Sequence, residues 1–265
     1  DIENYYQAST IEEAVKLLKE HPHARVISGG SDVLIKIREG KMAGTSLVSI
    51  RDIREIQGVW MAENRDIWIG AGTTFSHVTA DPLITRHLSV LGEAVDQVGG
   101  PQVRNMGTIG GNVCNGAVSA DSAPTLFSLN AMLLIRNDQG ERLVPIQEFY
   151  LGPGKVDLHP GDLLTHIVIP ACEYEGYKGH YIKYSMRNAM DIATLSCSVV
   201  SRIDPQKKVL EDVRITFGVA APVPYRCHKT EEALKGMEIG DELFAKVEAL
   251  VREEINPRDS WRASK

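Results

Sequence analysis

Two stretches of this chain combine glycine with small polar side chains in a pattern suited to holding phosphate: Ser28-Gly29-Gly30-Ser31-Asp32 and Thr108-Ile109-Gly110-Gly111-Asn112-Val113-Cys114-Asn115-Gly116. A turn that lays peptide N–H groups against a phosphate has no room for Cβ atoms at the contact. Glycine therefore sits there, with Ser, Thr or Asn adding donors. A pair of such turns can clasp one diphosphate, which points to a dinucleotide. The first turn also reads as a plain strand-to-helix connection, since Gly-Gly pairs mark ordinary turns. Asp32 repels phosphate and is expected to cap the following helix or order the loop. The second stretch runs on through Ser119-Ala120-Asp121-Ser122, concentrating small polar groups in one long loop, and long loops usually carry a function. Ser122-Ala123-Pro124 also suits a helix start with Ser122 as its cap.

Other reactive residue types are less organised. Cys114 lies inside the second stretch, but no basic residue stands beside it to lower its pKa, which argues against a nucleophile or redox thiol. Cys172, Cys197 and Cys227 are far apart in sequence, without the close spacing of a zinc or iron–sulfur ligand set, and all four read as reduced, mostly buried thiols. The eight histidines form no H-x-x-x-H pair and no H-E-x-x-H set, so no metal site is expected. From Tyr181 to Ala193 the chain mixes cationic, aromatic and amide groups. A lysine such as Lys183 near an electron-accepting ring stabilises the negative charge of its reduced form. The same stretch reads equally well as a strand with snorkelling basic residues.

Elements able to position these residues can be read along the chain. Thr10-Ile11-Glu12-Glu13 fits a capping box, and Ile11, Ala14, Val15 and Leu18 then follow at helical spacing, which predicts a helix over 10–20. Arg25-Val26-Ile27 is a short strand running into the first glycine turn, with a helix resuming at Val33. Leu47–Ile50 and Asp66–Gly70 read as strands, Thr74 as the cap of a short helix through His77, and Ser89–Val98 as a helix stopped by Gly99-Gly100-Pro101. Ala131–Arg136 and Arg142–Ile146 flank a hairpin turn at Asn137-Asp138-Gln139-Gly140, and Leu163–Ile169 is a further strand. After a polar stretch at Cys172–Gly179, Ala193–Ile203 and Val213–Val219 are β-prone, while Thr230–Leu234 and Asp241–Val251 are helical. Three lobes are expected, over 1–55, 56–171 and 172–265. The abrupt finish at Trp261-Arg262-Ala263-Ser264-Lys265 suggests that a C-terminal element follows.

Composition narrows the class. With 265 residues, 43% of them hydrophobic and 24% charged, the chain can build more than one soluble core. No run approaches the roughly 18 apolar residues of a membrane span, and no basic-then-apolar leader is seen, so a cytoplasmic protein is expected. A net charge of -6 with interspersed signs offers no basic face for nucleic acid.

Taken together, the two glycine turns resemble the FAD-binding subunit of the molybdenum hydroxylases, as do Gly100-Pro101-Gln102-Val103-Arg104-Asn105, Gly152-Pro153-Gly154-Lys155, Lys183-Tyr184-Ser185-Met186-Arg187 and Asn256 through Ser264. The likeness is strongest to bacterial xanthine dehydrogenases and spans essentially the whole chain. It implies an α+β fold: two N-terminal α/β subdomains and a C-terminal domain of antiparallel sheet plus helices, with FAD in the cleft between them. Position by position, it places Val26, Ile27, Ser28, Gly29, Gly30 and Ser31 in the first pyrophosphate loop, with Asp32 beside it. Thr108, Gly110, Gly111, Asn112 and Asn115 form the second. Asp121 becomes the acidic residue close to the cofactor, Val98, Gly99 and Val103 line the flavin, Leu164 or its neighbour touches the ring, and Lys183 is a flavin contact. Val98 stands where some members carry an aromatic residue, and Ala120 where some carry serine.

The resemblance further implies that substrate is hydroxylated at a molybdenum cofactor in a large partner subunit. Electrons then pass through two [2Fe–2S] clusters in a small partner subunit to the FAD held here, and on to NAD⁺. Relatives acting on nicotinate, an aldehyde or another N-heterocycle fit the same pattern. The branch that reduces a benzoyl thioester carries a cysteine-rich insertion absent from this sequence. No residue is assigned as acid, base or nucleophile. Lys183 is the candidate for tuning the ring, and Asp191 for shaping the place where nicotinamide arrives. The alternative from another class is an assembly module that binds a nucleotide, or nothing, without passing electrons.

Overall fold

The computed structural model describes residues 1–264; Lys265, the last residue of the segment expected to lead into a further element, lies outside them. Three larger sheets organise the chain, beside a two-stranded ribbon of Tyr150–Gly152 and Lys155–Val156. In the first, Ile2–Gln7, Thr45–Ser49 and Arg25–Ile27 run parallel, with Thr45–Ser49 in the middle. The connecting helix Ile11–Glu20 starts where the capping box places it: Thr10 Oγ1 accepts from the Glu13 N–H at 3.1 Å, and the Glu13 carboxylate accepts from the Ser9 N–H at 2.7 Å. Ile11, Ala14 and Leu18 are its buried stripe. The strand Ile2–Gln7 escapes the sequence reading because it is a sheet edge with almost no buried residue to mark a face.

The second sheet is antiparallel, in the order Val59–Met61, Ile67–Gly70, Leu163–Ile169, Met132–Asn137, Gly140–Pro145. The hairpin pairs Asn137 with Gly140 across Asp138-Gln139, as its turn residues dictate. Every residue of the central strand Leu163–Ile169 is buried. The helix capped by Thr74 extends over Phe75–Ala80, beyond the expected end at His77, and Ser89–Asp96 ends two residues before the expected Val98. The long loop expected around 108–122 contains helix Ile109–Cys114, and helix Ser122–Ser128 begins at its end, after an unanticipated helix at Pro101–Met106. Ser122 lies inside its helix and donates to Asn112 Oδ1 at 2.7 Å, so it is not a cap.

The third sheet is an antiparallel meander of Lys178–Tyr184, Leu195–Asp204, Val209–Gly218 and Tyr225–Arg226, backed by helices His228–Leu234 and Asp241–Glu254. It is tied to helix Ser122–Ser128 through Ser128, whose hydroxyl lies 2.8 Å from that of Thr216, and by buried Arg214. The Arg214 guanidinium donates to the carbonyls of Ser128 and Glu173, pairs with the carboxylates of Glu173 and Asp212, and stacks 4.3 Å from the Tyr177 ring centroid. Among the described residues no helix is long and apolar enough to cross a membrane.

Candidate functional site

A cleft of about 1040 Å³ is lined by residues of the first two lobes and by the loop residues Met190, Asp191 and Ile192 of the third. It is at the upper end of the roughly 300–1,000 Å³ typical of small-molecule sites. One wall is the first glycine turn. The chain leaves strand Arg25–Ile27 at Ser28, passes through Gly30 at φ 74°, a value that favours glycine, and enters helix Val33–Arg38. Among the described residues none of the peptide N–H groups from Ser28 to Asp32 donates to a protein acceptor, leaving a run of free donors on residues that line the cleft. Gly29 is needed for a second reason: a Cβ there would overlap the Met106 carbonyl oxygen, because the turn packs against the end of helix Pro101–Met106. Asp32 makes no capping hydrogen bond. Its backbone is already helical, at φ -104° and ψ -47°, so its side chain cannot reach back as an extended cap residue does.

The second glycine segment faces the first but presents different chemistry. Thr108 is extended and accepts from the Gly111 N–H at 3.2 Å, the Gly110 N–H donates to the Ala71 carbonyl at 2.9 Å, and the Asn112 N–H donates to the Thr108 carbonyl at 3.0 Å. These peptide donors are spent within the protein, contrary to the expectation that both turns offer backbone N–H groups. What remains for a ligand is the Thr108 hydroxyl and the side-chain amides of Asn112 and Asn115. Gly110 is a packing glycine, since a Cβ on it would lie 2.5 Å from that of Ala71.

Val98, Gly99, Val103 and Leu164 line the same cleft. Arg104 holds the Val98–Gly99 segment by donating to both carbonyls, at 3.2 and 3.3 Å, while pairing with Asp96. Asp121 forms part of the floor, and its carboxylate accepts from the Tyr181 hydroxyl at 2.7 Å and from the Lys183 ammonium at 2.9 Å. Both side chains of the ion pair are less than a tenth exposed. Burial raises the Asp121 carboxyl above the ordinary range, and the neighbouring Lys183 charge and the hydrogen bonds from Lys183 and Tyr181 pull it back down. Lys183 itself does not line the cleft: its remaining reach goes to the Gln97 carbonyl at 2.9 Å. Seventeen of the eighteen candidate cofactor residues thus share one cavity, and Lys183 acts on it through Asp121. Sequence reasoning missed Lys36, Arg104 and Tyr181, and of Met190-Asp191-Ile192 on the cleft it singled out only Asp191. Cys114 lines the cleft, but burial pushes its thiol up to about 12, so it stays protonated. Among the described residues no group of His, Cys, Asp and Glu is placed to hold a metal.

The free N–H run, the hydroxyl and amide side chains and the half-buried Lys36 suit an oxyanion, while Val26, Ile27, Val98 and Leu164 supply apolar wall for rings. That donor set fits a dinucleotide carrying a diphosphate and aromatic ends. Fold and cleft together define a flavoprotein architecture of two N-terminal α/β lobes and a C-terminal antiparallel lobe. The FAD binding domain in molybdopterin dehydrogenase matches residues 1–172, and the CO dehydrogenase flavoprotein C-terminal domain matches residues 180–265. The chain is 38% identical, over its full length and 90% of the relative, to a putative xanthine dehydrogenase FAD-binding subunit of Escherichia coli (strain K12). It is 30% identical to the carbon monoxide dehydrogenase medium chain of Afipia carboxidovorans, over 98% of this chain and 88% of that one. Its structure superposes with a TM-score of 0.93 on carbon monoxide dehydrogenase from Hydrogenophaga pseudoflava lacking the Mo-pyranopterin moiety of its cofactor, at 26% identity, covering 100% of this chain and 91% of the other. The chain belongs to the FAD-binding subunits of the molybdenum hydroxylase family.

Proposed function

We propose that this chain is the flavin subunit of a xanthine-dehydrogenase-type complex in the cytoplasm. Its partners are a large molybdenum-cofactor subunit and a small subunit with two [2Fe–2S] clusters, and NAD⁺ is the terminal acceptor. The observation that carries this reading is the single cleft that gathers both glycine segments, Asp121 and the Val98–Gly99 rim. The full-length likeness to a xanthine dehydrogenase FAD-binding subunit supports the substrate class. We assign the lobes to residues 1–55, 56–171 and 172–265.

Bound FAD supplies a centre that takes electrons from one-electron carriers and releases them as hydride. The protein's part is binding and electrostatics. The N–H groups of Ser28–Asp32, with the side chains of Thr108 and Asn112, would hold the diphosphate. Arg104 fixes the rim formed by Val98 and Gly99. The buried Asp121–Lys183 pair sets the field at the floor without placing a bare cation there, and Asp191 shapes the mouth where a nicotinamide ring approaches.

Affinity purification through this chain tests the reading. Co-elution of molybdenum and iron, with bleaching of flavin absorbance and NAD⁺ reduction on adding xanthine or hypoxanthine, is the expected result. Turnover of nicotinate or an aldehyde with none of purines transfers the proposal to a sister activity. A colourless protein that takes up no FAD overturns it in favour of an assembly module.

A further inference from the structure

We propose that Lys36 is the counter-ion of the bound dinucleotide's diphosphate, and that it exchanges a neutral partner for an anionic one when the cofactor enters. The inference rests on the FAD reading above and deepens it. Lys36 is half-buried on helix Val33–Arg38, and its ammonium donates to Asn115 Oδ1 at 2.6 Å, across the cleft between the first and second lobes. Asn115 ends helix Ile109–Cys114, so this one contact joins the two glycine-bearing walls.

Three observations single Lys36 out. Among the described residues its ammonium meets one side-chain partner, a carboxamide, which accepts one proton but neutralises no charge, leaving two ammonium protons to be satisfied. Asp32, four residues earlier on the same helical face, is the obvious ion-pair partner, yet Lys36 reaches past it to the opposite wall. The other cationic side chains on the cleft are placed differently: Arg25 and Lys155 are exposed, and His159 stands beside Asp157. A half-buried, unneutralised ammonium beside a run of unpaired peptide N–H groups forms a site that an oxyanion completes. With the second glycine segment's peptide donors already spent, Lys36 supplies the positive charge that those donors cannot.

The experiment titrates the full-length chain, stripped of flavin, with FAD at several salt concentrations, following flavin fluorescence. Lys36→Met is expected to raise Kd by about tenfold or more, the scale of a lost charge-assisted hydrogen bond, and to flatten the salt dependence. Lys36→Arg keeps both affinity and slope. Asn115→Ala removes a side chain but no charge, so it weakens binding while keeping the slope of the unmodified chain. Identical Kd and slope for Lys36→Met and the unmodified chain overturn the inference while leaving the FAD reading intact. So does an Asn115→Ala variant that loses the slope as fully as Lys36→Met, because Lys36 is then only a strap. If the unmodified chain takes up no FAD, the FAD reading falls and this inference with it.

Discussion

Asp121, Lys183 and Tyr181 form a closed unit whose energetics can be tested by a double-mutant cycle. Replacing Asp121 with Asn removes the carboxylate paired with the Lys183 ammonium, whose side chain is 6% exposed. Removing one member of a buried pair costs about 3–5 kcal/mol. The lower end applies here, since Lys183 still donates to the Gln97 carbonyl and an amide oxygen can still accept from Tyr181. About 3 kcal/mol corresponds to a fall in melting temperature of roughly 6–12 °C for a protein near this size.

Lys183→Met behaves differently, because a carboxyl can escape by taking a proton. The Asp121 carboxyl is already raised by burial, and the Lys183 charge is the largest influence opposing that rise. Where a folded-state carboxyl pKa is raised, the native state binds more protons than the unfolded chain. Stability is therefore lost as pH climbs from the ordinary carboxylate range through the folded value. Lys183→Met lifts the folded value further, so the difference in stability from the unmodified protein grows as pH rises from 5 to 8. Urea unfolding at both pH values measures it, and the double variant Asp121→Asn/Lys183→Met should lose less than the sum of the singles. Additive losses, or a Lys183→Met penalty that does not grow with pH, refute the account.

Three further outcomes follow from the geometry. Gly111→Ala places a Cβ 3.0 Å from Thr108 Oγ1, so it disturbs the helix cap that this hydroxyl forms. Its stability loss should match that of Thr108→Ala, at about 0.5–2 kcal/mol by thermal unfolding. Arg214→Met empties a buried site that satisfies the Ser128 and Glu173 carbonyls and two carboxylates, and should lower stability by about 3 kcal/mol or more and raise protease sensitivity near Tyr177. Ellman's reagent on the native protein should label Cys172 first, the one exposed thiol, because burial pushes Cys114, Cys197 and Cys227 up to about 12. Rapid labelling of Cys114 instead would show that the cleft floor is open to solvent.

Local signals in the sequence carried far, and their failures have physical causes. Thr10, Thr74 and Thr108 all cap helices because each precedes its helix in extended backbone. Asp32 has the right side chain, but its own residue is already helical, and no residue type reveals that. The run 108–122 read as loop because glycine, asparagine and serine are poor helix formers. Tertiary contact overrides propensity there: the Gly110 N–H is bonded to Ala71, and Ser122 is bonded to Asn112. Lys36, Arg104 and Tyr181 gain their roles from partners 79, 6 and 60 residues away. Arg104 was within reach of a local reading; the other two depend on how the lobes close.

The two glycine segments look alike in sequence and differ in what they offer, and that difference bears on how binding and lobe closure are linked. The first supplies free peptide donors on a turn whose position is set by Gly29 packing against Met106, a residue of the second lobe. The second supplies side chains on a rigid, capped helix. A diphosphate bridging them therefore makes contacts that exist only when the lobes are closed, and its binding energy stabilises the closed state in proportion. The flavin-loaded chain should accordingly resist unfolding of the first lobe more than of the third, whose core of Leu210, Val213, Ile215 and Leu234 touches none of these residues. Hydrogen exchange with and without FAD distinguishes the cases: protection gained equally in Val209–Gly218 and in Thr45–Ser49 would mean that the cofactor does not act through closure of the first two lobes.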